Sequence, residues 1–277
     1  MEPAHPLAVA LSGSTDAVLR AEAEACAARW HLPLLLRGPK APVRGLLGQA
    51  QVLMVFGEDG VSLRDRLGHV RGGAGLAALR LKEIAKGHTN DPLQRVGDLA
   101  PGERVLDATL GFAQDARVAS RLVGPSGSVL GLESSLPLAV LADATLRREG
   151  SGSAEPIEVR HADSGAVLRS MPTRSVDVVL FDPMFSRALP SQPGFEMLRR
   201  LANPSPLTAQ VLAEACRVAR RVVLIKAARY GPALRVLGLR PEWASRSAPV
   251  VWARLATGPG GGLPARSSTE PARGRSR

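Results

Sequence analysis

The sequence predicts an α/β protein with a doubly wound, mostly parallel Rossmann-like sheet. Three observations carry this reading. From Pro101 onward, short β-rich apolar runs alternate with stretches of helical spacing, the pattern of parallel strands covered by helices. Two closely spaced strand-like segments follow the fifth run, which suits an antiparallel closing pair and brings the sheet to seven strands. The first part of the chain differs in texture and reads as a separate small α/β unit.

That unit spans residues 1–75. It opens with the apolar run PLAVALS, continues through a helix capped near Ser14 (DAVLRAEAEACAARW) and a second run, LPLLLR, and reaches a hairpin in QVLMVFGEDGVSLRD with Asp59-Gly60 in its turn. GLAALRLKEIAKG reads as a helix leading into the main domain, residues 76–256. Its strands are RVLDATL (104–110), SVLGLE (128–133), IEVRHAD (157–163), VDVVLFD (176–182) and RVVLIKA (221–227). AQDARVASRLV, LPLAVLADATLRRE and AQVLAEACRVARR have helical spacing, and EWASRS with PVVWARLA closes the sheet. Residues 257–277 contain Gly, Pro, Ser and Arg with almost no apolar content, so they read as a disordered basic tail.

Composition narrows the function. No stretch reaches the roughly 18 unbroken apolar residues of a membrane span, and the amino terminus lacks the basic start and long apolar run of a secretory signal. The expectation is a soluble, cytoplasmic protein without a membrane partner. Cys26 and Cys216 have no metal-ligand or C-x-x-C spacing, and the five histidines show no ligand spacing, so no metal is expected. The net charge of +11 is unevenly placed: residues 187–277 hold 16 of the 36 Lys and Arg but only 4 of the 25 Asp and Glu. A basic segment beside a mildly acidic middle points to a polyanion partner, most simply nucleic acid.

In an open parallel sheet, ligands gather beyond the carboxyl ends of the strands. Those ends carry Asp107 with Gly111 and Asp115 in the following loop, then Glu133, Asp163 and Asp182. Four successive strands deliver a carboxylate to one rim, which calls for a cationic or donor-rich ligand. The loop LDATLGFAQD lacks the G-x-G-x-x-G spacing that seats a pyrophosphate. S-adenosylmethionine suits such a rim: it has no phosphate, carries a sulfonium and an ammonium, and offers ribose hydroxyls and an adenine amine. Glu133 is placed for the hydroxyls, Asp163 with Ser164 for the amine, Gly111 for close backbone approach and Asp115 for the ammonium.

The segments VLDATLGFAQDARVAS, GLESS, RHADS and FDPMF together resemble the class I S-adenosylmethionine-dependent methyltransferases, specifically the small-subunit ribosomal RNA guanine-N2 methyltransferase family. The likeness covers about residues 76–256. It implies that Gln114 and Asp115, Glu133 and Ser134, Asp163 and Ser164, and Asp182 contact or border the cofactor. Two stretches depart from the family pattern: Phe112-Ala113-Gln114 replaces a more polar run ending in arginine, and Ser186-Arg187 follows the motif in place of Pro-His.

The motif DPMF resembles the D-P-P-Y type that grips an exocyclic amine. The Asp182 carboxylate and the Pro183 carbonyl accept the amine hydrogens, and Phe185 stacks on the base, a contact worth about 1–3 kcal/mol. The basic, Pro-rich stretch that follows supplies Arg187, Arg199 and Arg200 as phosphate contacts. The expected activity is methyl transfer to an exocyclic base amine of RNA, guanine N2 of ribosomal RNA first, with ribosomal RNA or the small ribosomal subunit as partner. The alternatives are a non-catalytic RNA-binding protein of the same fold, or a methyltransferase for DNA or a protein amide. A cytosine-C5 mechanism is disfavoured, because neither cysteine lies in a nucleophile motif.

Overall fold

The computed structural model describes residues 5–13, 16–37, 41–149, 157–183, 195–244 and 249–257. The amino-terminal part holds β1 (His5–Leu11), α1 (Ala17–Trp30), β2 (Leu34–Leu35), a 3-10 turn (Val43–Gly48), β3 (Ala50–Gly57), β4 (Gly60–Arg64) and β5 (His69–Arg71). They form one sheet in the order β2-β1-β3-β4-β5, parallel from β2 to β3 and antiparallel from there to β5. The cap of α1 is Asp16, not the region of Ser14: its carboxylate accepts the Val18 amide at 2.8 Å. An aspartate also offsets the positive helix end, which a serine does not. The hairpin turn is shifted too. Gly57 pairs with Gly60, so Glu58 and Asp59 make the turn and Gly60 opens β4.

The remainder holds α2 (Gly75–Ala85), α3 (Pro92–Arg95), β6 (Arg104–Asp107), α4 (Gln114–Val123), β7 (Ser128–Glu133), α5 (Leu136–Glu149), β8 (Glu158–His161), α6 (Ser164–Ser170), β9 (Val176–Phe181), α7 (Phe195–Leu201), α8 (Ala209–Val218), β10 (Ala219–Ala228), α9 (Ala233–Val236), β11 (Trp243–Ala244) and β12 (Val250–Ala256). The seven-stranded sheet runs β11-β12-β10-β9-β6-β7-β8. Strands β6 to β10 are parallel, and β12 is antiparallel to both β10 and β11. The chain winds outward from β6 to β8 and then crosses back to β9, so the strand order reverses between β6 and β9. Ligands of such sheets bind at that point.

Three boundaries differ from the expectation, each for a local reason. β6 ends at Asp107, because the Ala108 amide bonds to the Leu180 carbonyl and the Leu110 amide to that of Leu132, which splits the chain from one neighbour to the other. β8 ends at His161, since Asp163 leaves the sheet to cap α6, accepting the Ala166 amide at 2.8 Å. α8 ends at Val218 and β10 begins at Ala219, two residues before the expected strand start at Arg221, which donates from β10 to both oxygens of Glu103 at 2.6 and 2.8 Å.

α5 joins the two sheets. Residues 138–146 are all buried, so this stretch of the helix has no wet face. Leu138, Val140 and Leu141 pack with Leu7, Met54 and Phe56 of the first sheet, while Ala139, Ala142 and Leu146 pack with Val105, Val129 and Val159 of the second. Each fully buried leucine contributes about 1.5–3 kcal/mol of apolar transfer. Asp143 is buried among them yet fully partnered: Arg29 and Trp30 of α1 donate to one oxygen at 3.0 Å each, and Arg147 to the other at 2.9 Å. The opposite face of the large sheet is covered by α6 and α8, where Leu168, Leu212 and Ala215 meet Val179, Phe181 and Val223. The described tail residue, Thr257, donates from its backbone to the Arg221 carbonyl at 3.0 Å; the rest of the predicted tail lies outside the described residues.

Candidate active site

Register brings the acids together. Ile225 of β10 pairs with Phe181 of β9, so the next residues, Lys226 and Asp182, emerge side by side at the rim. Lys226 Nζ donates to Asp182 Oδ2 at 2.7 Å and to Asp115 Oδ2 at 3.0 Å, and lies 5.6 Å from the Trp252 ring centroid. Arg80 of α2 donates to Asp115 Oδ1 at 2.5 Å and grips Asp91 with two nitrogens at 2.7 and 3.1 Å. Neither Arg80 nor Lys226 stands out in the sequence as a site residue. Nor does Thr109, whose hydroxyl accepts the Asp182 amide at 2.6 Å and so fixes the backbone of the motif.

These contacts set the protonation of the cluster. Burial, with Asp115 and Asp182 nearby, pushes the Asp107 carboxyl up to about 8. Burial also opposes ionisation of Asp115, but Lys226 and Arg80 outweigh it and hold that carboxyl below its ordinary range. Asp182 is raised, by burial first and by Asp115, with Lys226 pulling the other way. Burial would lower Lys226; Asp115 and Asp182 more than reverse this and keep it protonated.

On one side of Asp182, a cavity of about 220 Å³ is lined by Thr109, Glu133, Ser134, Asp163, Ser164 and Pro183, with Leu132, Leu207 and Val211 as apolar walls. Glu133 is held ready: the Gly111 amide donates to Oε2 at 2.9 Å and the Ser135 amide to Oε1 at 2.8 Å. Burial raises this carboxyl against those amides. Gly111 has φ +52°, a left-handed conformation that aims its amide at Glu133 and that a Cβ disfavours. Gly131 of β7 is required by space instead, since a Cβ there would stand 2.5 Å from Leu110, where the first loop folds over the strand. On the other side of the cluster, a second cavity of about 390 Å³ runs between α2 and the sheet edge, with Lys226 and Arg80 at its polar end and Leu79, Trp243 and Trp252 among its walls.

The structure therefore gathers Asp107, Asp115 and Asp182 in one charge cluster and Glu133, Ser134, Asp163, Ser164 and Pro183 around one cavity. Gln114 faces the chain itself: Oε1 accepts the Ala77 amide at 2.8 Å, and Nε2 donates to the Gly73 carbonyl at 3.0 Å and that of Phe112 at 3.3 Å. Arg199 and Arg200 lie exposed on α7, and Arg200 donates to Asp65 beside β4 at 2.7 Å. Phe185 and Arg187 lie outside the described residues. Among the described residues, no group of three or more His, Cys, Asp and Glu side chains is arranged to hold a metal ion, and no helix is long and apolar enough to cross a membrane.

This is the fold and rim of a Rossmann-like methyltransferase. Residues 54–246 match the family described as "putative SAM-dependent methyltransferase", and the chain belongs to that family. Its cofactor is S-adenosyl-L-methionine, and the residues present fit it: two carboxylates, Glu133 and Asp163, face one cavity whose other walls mix hydroxyl and amide side chains with apolar ones. The chain is 37% identical to the uncharacterized protein YpiP of Bacillus subtilis (strain 168) over 156 residues, 54% of this chain. It spans 60% of the length of that curated relative. The SAM-dependent methyltransferase NGO1261 from Neisseria gonorrhoeae shares the fold at 18% identity with a TM-score of 0.57, over 89% of this chain and 94% of that one.

Proposed function

We propose that the chain methylates an exocyclic amine of a nucleobase in RNA, guanine N2 of ribosomal RNA being the target that the motif resemblance favours. One observation carries this: Asp182-Pro183 stands at the rim beside the cavity that suits the cofactor, with its carboxylate and backbone already fixed by Lys226 and Thr109.

When bound, S-adenosylmethionine supplies a methyl group activated by a sulfonium. Glu133 would take its ribose hydroxyls, Asp163 its adenine amine, and the Asp115 carboxylate, held ionised, its cationic end. An exocyclic amine is a poor nucleophile, because its lone pair is delocalised into the ring. Asp182 has one oxygen committed to Lys226; among the described residues Oδ1 accepts no hydrogen bond and is the acceptor for an amine hydrogen. The Pro183 carbonyl takes the other hydrogen, which pyramidalises the nitrogen and localises its lone pair for attack on the methyl group. The proton that leaves the amine reaches Asp182 Oδ1 first. Alignment of this kind is worth up to roughly 7–11 kcal/mol.

The test is transfer of a labelled methyl group to ribosomal RNA, with digestion to nucleosides and mass spectrometry of the product. Asp182→Ala should abolish transfer while calorimetric cofactor binding stays within a few fold of wild type. Normal methylation by that variant would remove Asp182 from the chemistry. Tight RNA binding without any cofactor binding would favour the non-catalytic reading.

A further inference from the structure

The five-stranded sheet adds nothing to the carboxylate cluster, yet it carries a cavity of its own of about 240 Å³. Arg44 of the 3-10 turn, Arg64 at the end of β4, Arg66 in the next turn and His69 at the start of β5 line it. All four are exposed. Asp65 is the one carboxylate in the lining, and it is already engaged: Arg200 donates to Oδ2 at 2.7 Å, and the Leu67 and Gly68 amides donate to Oδ1 at 2.8 and 2.7 Å. Burial works against its ionisation, but Arg200 and those amides hold the carboxyl below its ordinary range. Arg66 donates to the Leu47 carbonyl at 3.3 Å, which ties the turn to the opposite wall, and among the described residues Arg44, Arg64 and Arg66 pair with no carboxylate. An adjoining polar cavity shares Arg64 and adds Arg37 and Arg71, together with Glu58 and Asp59, the latter 3.6 Å from Arg71.

Guanidinium groups present paired N–H donors that match phosphate oxygens. We infer that the Arg44–Arg64–Arg66–His69 cavity is a phosphate site that holds the RNA backbone at a distance from the base being modified. This rests on the RNA reading above. The Asp65–Arg200 pair joins the cavity rim to α7, and Asn203, Ser205, Leu207 and Thr208, in the segment that follows α7, line the cavity beside Asp182. A phosphate arriving there meets three arginines and displaces no protein anion.

Full-length protein with a fluorescein-labelled RNA stem-loop tests it. Arg44→Gln/Arg64→Gln/Arg66→Gln should weaken Kd at least tenfold and reduce the slope of log Kd against log salt by about two to three, at about 0.7–0.9 per lost phosphate contact. Its melting temperature and calorimetric cofactor binding should stay at wild-type values. Arg44→Glu alone, on the exposed 3-10 turn, should act in the same direction at smaller size. A control with Arg121→Gln/Arg235→Gln/Arg240→Gln removes as much charge from other exposed positions and should lose far less affinity. Wild-type RNA affinity in the cavity variant, an equal loss in the control, or binding that follows phosphatidylserine vesicles rather than RNA would overturn the site. A wild-type chain that binds cofactor but no RNA would remove the RNA reading with it, whereas failure of the cavity variant alone leaves that reading standing.

Discussion

Lys226 reaches from the end of β10 to Asp182 at the end of β9 across 2.7 Å, and the same ammonium also holds Asp115. It is the counter-ion that lets two carboxylates share one rim. Lys226→Met should therefore lower stability by about 3–5 kcal/mol at neutral pH, the usual effect of removing one partner of a buried pair, and should abolish methyl transfer. Chemical denaturation followed by circular dichroism measures the first, and labelled methyl transfer the second. Wild-type stability in this variant would mean that the two carboxylates are not ionised together.

The Asp107 carboxyl, at about 8, gives a pH signature with a definite sign. A raised carboxyl contributes stability that is fully present below its ordinary value and is lost as pH rises through about 8. Asp107→Asn removes that dependence. Its melting temperature should match wild type in acid and exceed it increasingly toward alkaline pH, and thermal scans across that range decide the matter.

Glu133 tests the cofactor side. Both of its oxygens accept a backbone amide, from Gly111 and Ser135, and a glutamine NH2 cannot accept one of them, so Glu133→Gln should lose about 1–3 kcal/mol of stability and weaken calorimetric S-adenosylmethionine binding by about tenfold to a hundredfold. Unchanged affinity would place the ribose elsewhere.

Gly111→Ala makes a complementary case. Forcing a Cβ at φ +52° costs about 1–2 kcal/mol, and the loop should relax by turning the amide away from Glu133. Reduced stability and reduced cofactor affinity should appear together.

The strand-end acids were legible because each closes an apolar run, and the sheet delivers all of them to one rim whatever the loop details. Arg80 was not legible. It reaches Asp115 and Asp91 from a helix whose sequence, GLAALRLKEIAKG, looks like any amphipathic stretch, and only the packing of α2 on α4 gives the arginine its partners. Gln114, which the family resemblance implies as a cofactor neighbour, likewise has partners that no local pattern reports: its amide bonds to Gly73 and Ala77, which lie well before it in sequence. Strand ends were misjudged where a residue leaves the ladder for a tertiary partner, as Asp163 does to cap α6. Local pattern reports the local period, and none of these partners is local.

Residues 138–146 of α5, buried from every direction, make the two sheets co-owners of one helix. Cutting the chain ahead of Gly75 would bare Leu138, Val140 and Leu141 and take away Arg29 and Trp30, leaving Asp143 with Arg147 alone. The change of texture near residue 75 thus marks where one sheet gives way to the next and offers no seam at which the protein divides, so a truncated carboxyl-terminal fragment should aggregate rather than work.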